Sequence, residues 1–176
     1  MWPLCLVALL IHGDVAFDQH ERALIQTGVD LLAIETEQRI RLTVRYDYDG
    51  GPAALRRALI EPTLLRLGWL DPKVALADRL MRVHVVAWTT QPRIFLIPER
   101  IAASSVHAGT PFDLVYTHVV MHELLHELGV DHVPDPRAVM WLNASPTLWL
   151  TDWDRVAIHN ALDSRADVCD THVLGD

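Results

Sequence analysis

The run His122-Glu123-Leu124-Leu125-His126-Glu127-Leu128-Gly129-Val130-Asp131-His132 constrains this chain more than any other stretch. On a helix, residues four apart leave the same face, so the imidazoles of His122 and His126 point together. Gly129 tolerates a left-handed backbone, which ends a helix and turns the chain. His132 then returns as a third nitrogen donor. Three protein ligands leave a coordination position open, the pattern of a reactive rather than a structural zinc site. Glu123 stands beside His122, where its carboxylate can take a proton from water in that open position. An amphipathic helix with histidines on its polar edge would not require Gly129 and His132 at these two places.

The pattern H-E-x-x-H-x-x-G-x-x-H resembles that of the metzincin zinc peptidases. A turn containing methionine is the second mark of that group, and His132-Val133-Pro134-Asp135-Pro136-Arg137-Ala138-Val139-Met140 supplies it. The interval from His132 to Met140 is similar to that of the matrixin branch, the matrix-metalloproteinase-like group. So is the lead into a last helix, Leu148-Trp149-Leu150-Thr151-Asp152-Trp153-Asp154. The resemblance covers about residues 112–162. It implies an α/β (α+β) fold with a twisted mixed sheet, a backing helix, a zinc helix beneath the sheet and a C-terminal helix. It implies Zn2+ held by His122, His126 and His132, with Glu123 as general base of a zinc endopeptidase acting on polypeptides. Met140 would form an apolar floor, not a ligand. Trp141 stands where astacin-like and serralysin-like relatives use a tyrosine, so no such role is expected. Val133 after the third histidine matches none of the common subfamily marks. The second zinc and the calcium ions of matrixins are not carried over, because His84 and His107 sit in no cluster of ligands. Two other classes stay open: a zinc domain that captures a protein without cutting it, and a narrow exopeptidase.

At 176 residues, one domain spanning 1–176 is expected, with an N-terminal part to about 129 and a C-terminal part carrying the turn and last helix. Fifteen basic against 23 acidic residues give a net charge of -8. That disfavours nucleic acid or an anionic membrane as the main partner, since both need a basic surface. A monomer is expected, and the compartment is left open. Trp2–Ile11 is too short to span a bilayer and lacks the basic start and small-residue cleavage site of a signal peptide. Leu4–His12 reads instead as a buried strand. Cys5 and Cys169 are the two cysteines, and a disulfide between them has only their presence for support.

The remaining elements follow from periodicity and punctuation. Asp18 and Glu21 form a capping box for a helix whose face carries Leu24, Thr27, Leu31 and Leu32, with Gly28 allowing close packing. Ile40–Tyr48 alternates apolar and polar residues, so it is a strand with one wet face carrying Arg39, Arg41 and Arg45. Residues 53–60 and 71–80 read as helices separated by breaks at Glu61-Pro62 and Gly68-Trp69-Leu70. Arg82–Thr89 and Arg93–Ile97 read as strands. Either 88–91 or 93–97 would be the edge that pairs with a peptide. Thr110 is expected to cap the zinc helix, with Pro111 as its first residue and Asp113 in its first turn. His118, one turn before His122, reads as a satisfied or exposed histidine rather than a ligand. Glu127 and Asp131 read as solvated or as acceptors behind the ligands. Thr151 and Asp154 open a last helix through Leu162.

Overall fold

The computed structural model describes residues 7–68, 70–81, 85–142 and 147–164. Both cysteines, the start of the expected first strand and most of the C-terminal tail lie outside them. The elements run β1 (Val7–Asp14), α1 (Gln19–Glu35), β2 (Ile40–Tyr48), α2 (Pro52–Arg57), β3 (Thr63–Arg66), α3 (Pro72–Met81), β4 (Ala87–Thr90), β5 (Arg93–Leu96), α4 (Pro98–Ala108), α5 (Phe112–Glu127) and α6 (Asp152–Asp163). The five strands form one mixed sheet in the order β2-β1-β3-β5-β4. Neighbours are parallel except β4, which runs antiparallel to β5 at the end of the sheet. This is the expected α/β fold. No helix among the described residues is long and apolar enough to cross a membrane.

Side-chain period sets which face of the sheet is covered. In β2, Ile40 and Leu42 are buried while Arg41, Thr43 and Arg45 are exposed, so the arginine face is the solvated one. The main core joins Ile11 of β1, Ile25 and Leu32 of α1, Leu64 of β3, Ile94 of β5 and Val120, Met121 and Leu125 of α5. α5 therefore lies buried between the sheet and its other neighbours, and α1 backs it. Gly28 lies where the two helices pack: a Cβ there would meet Val120 Cγ1 at 3.0 Å. Gly28→Val would wedge α1 away from the zinc helix. Its expected cost is about 1–3 kcal/mol, measured by urea unfolding. A variant as stable as the parent would show that the crossing has slack.

The capping box of α1 forms as expected. Glu21 N donates to Asp18 Oδ1 at 2.8 Å, and Asp18 N to Glu21 Oε2 at 3.0 Å. The same Glu21 carboxylate also receives Arg66 of β3, tying the helix start to the sheet. The box on α6 forms too, with Thr151 N donating to Asp154 Oδ2 at 2.8 Å.

The structure adds two elements and corrects two expectations. Thr63–Arg66 is a strand, and it sits at the centre of the sheet between β1 and β5. Its buried run Thr63-Leu64-Leu65 is too short and too uniformly buried to show a period. Pro98 does not simply stop β5; it begins α4, a helix closed by Gly109 at φ 62°. Proline at a first helical position and glycine just past the end are the signal that marks it. Thr110 does not cap the zinc helix. α5 starts at Phe112 with no side-chain cap, and Thr110 N donates to Ser105 O at 3.0 Å, finishing α4 instead. Asp113 pairs with His20 of α1 at 2.9 Å. The strand expected over 82–89 is narrower in the described residues, Ala87–Thr90.

Candidate metal centre

α5 presents His122 and His126 on one face, and the chain then turns as Gly129 implies. Gly129 adopts φ 83°, and its N–H donates to His126 O at 2.9 Å. The turn carries Val130 back so that its carbonyl accepts from His126 Nδ1 at 2.7 Å. His122 Nδ1 donates to Val139 O at 2.7 Å, across the loop that holds Met140. Each of these rings thus carries its proton on Nδ1 and leaves Nε2 as a bare acceptor.

The bare nitrogens converge. His126 Nε2 lies 3.2 Å from His132 Nε2, which lies 3.3 Å from His122 Nε2. Donors 2.0–2.1 Å from a tetrahedral zinc stand about 3.4 Å apart, so the spacing is that of ligands sharing one ion. With their protons on Nδ1, His122 and His126 can only turn lone pairs inward, an arrangement that a cation relieves. Among the described residues, these three form one group whose donor atoms all lie within 4.8 Å of one another. The site is suited to Zn2+, and burial favours the form that binds it. Desolvation pushes His122 down to about 3 and lowers His126 and His132 as well. Neutral imidazoles bind metal without first losing a proton.

Glu123 is buried, 6% exposed, and burial pushes its carboxyl up to about 7. The hydroxyl of Thr89 opposes that rise by donating to Oε2 at 2.7 Å. In the metal-free protein, the folded form therefore keeps a proton that the unfolded chain releases from pH 4.5 upward. This stabilises the fold below that value and is lost as pH rises through about 7. Glu123→Gln removes the titration. Relative to the parent, the metal-free variant should gain on the order of 3 kcal/mol between pH 5 and pH 8. The comparison cancels the opposite pH dependence of the buried histidines. Parallel urea-unfolding curves at the two pH values would contradict it.

A cavity of about 400 Å³ opens over these groups. α5 lines it with His118, Val119, His122, Glu123 and His126. β4 and its approach contribute Val85 to Thr89, and the loop after Met140 contributes Trp141 and Leu142. β4 is therefore the edge beside the site, which the sequence left open between two strands. Met140 is fully buried in the core. His118 is 1% exposed and bonded through Nδ1 to Thr147 O at 2.8 Å, outside the group of three. Glu127 is buried and Asp131 is exposed. Thr89 and Gln91 fall in the run 88–91 expected as one of two candidate edges, but no side-chain role was expected of either. Gln91 Nε2 donates to Glu127 O at 2.8 Å and covers the end of α5. No local pattern marks either residue; both act across a strand–helix contact. His132→Ala is expected to abolish stoichiometric zinc binding after dialysis, whereas His118→Gln keeps it. Equal losses, read by elemental analysis, would move His118 into the ligand set.

The structure is similar to archaemetzincin from Methanopyrus kandleri, with a TM-score of 0.57 and 11% identity over 90% of this chain and 97% of that one. It is also similar to a zinc-dependent peptidase from Methanocorpusculum labreanum, with a TM-score of 0.50 and 14% identity over 86% of this chain and 100% of that one. At these identities the likeness is one of fold. No family model and no curated protein matches the sequence.

Proposed function

We propose that this chain is a zinc-dependent endopeptidase of the metzincin kind, acting on polypeptides as a monomer. The observation that carries the reading is the triangle of Nε2 atoms, spaced for one tetrahedral ion, with Glu123 lining the same cavity. Zinc, when bound, polarises the scissile carbonyl and lowers the pKa of a water molecule. His122, His126 and His132 hold the ion, and the carbonyls of Val139 and Val130 keep the first two rings in the ligating tautomer. Glu123 accepts the proton of the attacking water and delivers it to the leaving amine. β4 offers a strand edge, unpaired among the described residues, on which a peptide main chain can pair. The matrixin-like refinement rests on the interval from His132 to Met140 and on the Leu148–Asp154 run.

Protein capture without cutting would not need a base beside the metal. Trimming from a chain end has one observation in its favour: Met81, at the end of α3, reaches the cavity. Digestion of a peptide library with and without a chelator separates these readings. Chelator-sensitive internal cuts support the endopeptidase, cuts confined to termini support trimming, and intact peptides would sink both.

A further inference from the structure

We propose that Thr89 is the positioning residue for Glu123, and that it couples main-chain pairing of an extended polypeptide on β4 to the orientation of this base. The proposal rests on the peptidase reading above. Among the described residues, β4 is the last strand of the sheet, bonded on one side to β5 and open on the other. Its side chains alternate. The Trp88 ring stacks on Phe95 at 4.6 Å, with the smaller core of Leu65 and Val74, while Thr89 turns toward α5. The Thr89 hydroxyl donates to Glu123 Oε2 at 2.7 Å, with Glu123 O at 3.2 Å as its longer alternative.

A carboxylate turns through a broad, shallow torsional profile unless something holds it. Thr89 is the one side chain among the described residues that donates to this carboxylate; it holds Oε2, and none of the described residues donates to Oε1. Threonine is β-branched and stiff at χ1, so the direction of its hydroxyl follows its backbone. A peptide that adds to the open edge fixes that backbone and, through it, the carboxylate. Binding energy from residues remote from the cut would then appear in kcat rather than in KM alone.

The test compares Thr89→Val and Thr89→Ser with the parent, using a short peptide that reaches only the residues flanking the cut and a version extended along β4. The parent should show kcat rising with length. Thr89→Val should keep its zinc content and its KM for the long peptide. Its kcat on that peptide should fall roughly ten-fold, with the length dependence flattened. Thr89→Ser should restore both. In the metal-free protein, the Glu123 side-chain carboxyl 13C resonance should shift in Thr89→Val and return in Thr89→Ser. Parent-like kcat and an unmoved resonance in Thr89→Val would overturn the coupling and leave the peptidase reading intact. So would equal losses in Thr89→Val and Thr89→Ser. A parent protein that cuts neither peptide would overturn both.

Discussion

Glu123→Gln protein is expected to bind zinc with unchanged stoichiometry and to lose about 10²–10⁴-fold in kcat, the range for removing a general base. Glutamine keeps the size of the side chain and can still accept from Thr89, so the α5 packing and the three imidazoles stay in place. What it cannot do is take a proton from water. KM for a peptide should change little, because the loss falls on an interaction made in the transition state. Peptide cleavage and zinc content measured on the same preparation check this. A variant that holds zinc and still cleaves at the parental rate would remove Glu123 from the reaction and leave the metal site without an assigned base. Loss of zinc along with activity would make the carboxylate structural.

The second large effect concerns a residue outside the cavity. Asp154 is 0% exposed, and its carboxylate accepts from Val139 N at 3.1 Å, Met140 N at 2.9 Å and Thr151 N at 2.8 Å. It therefore clamps the methionine-containing turn to the start of α6. The same turn presents Val139 O to His122 Nδ1. Asp154→Ala strands three backbone donors, two of them in buried bonds. The expected loss of stability is about 3–5 kcal/mol. Because the acceptor that orients His122 moves with the turn, zinc affinity should also fall, about 10–100-fold. Urea unfolding of the metal-free protein reads the first effect, and competition against a chromophoric chelator reads the second. Full affinity in a destabilised variant would show that His122 keeps its orientation without the clamp.

Asp154 also shows where local reading runs short. Thr151 and Asp154 are legible as a capping box because both partners lie within one helical turn. The two further bonds to Val139 and Met140 cross fourteen or more positions and leave no mark in the spacing. β3 and α4 were missed for a related reason. A four-residue strand with three buried residues in a row carries no period, and a proline that ends one element can equally begin the next.

What the sequence determined by itself is the ligand set and its local frame. The helical repeat puts His122 and His126 on one face, Gly129 permits the turn, and His132 follows it. The caps of α1 and α6 and the alternation of β2 are equally local. Only the tertiary structure decided that His122 presents Nε2, because its Nδ1 donates to Val139 O, seventeen residues on, whereas His126 finds Val130 O within its own turn. It alone made β4 the open edge and brought Thr89 to Glu123. Backbone periodicity is written within a few neighbouring residues, whereas an acceptor or a strand neighbour comes from whatever part of the chain the packed core carries there.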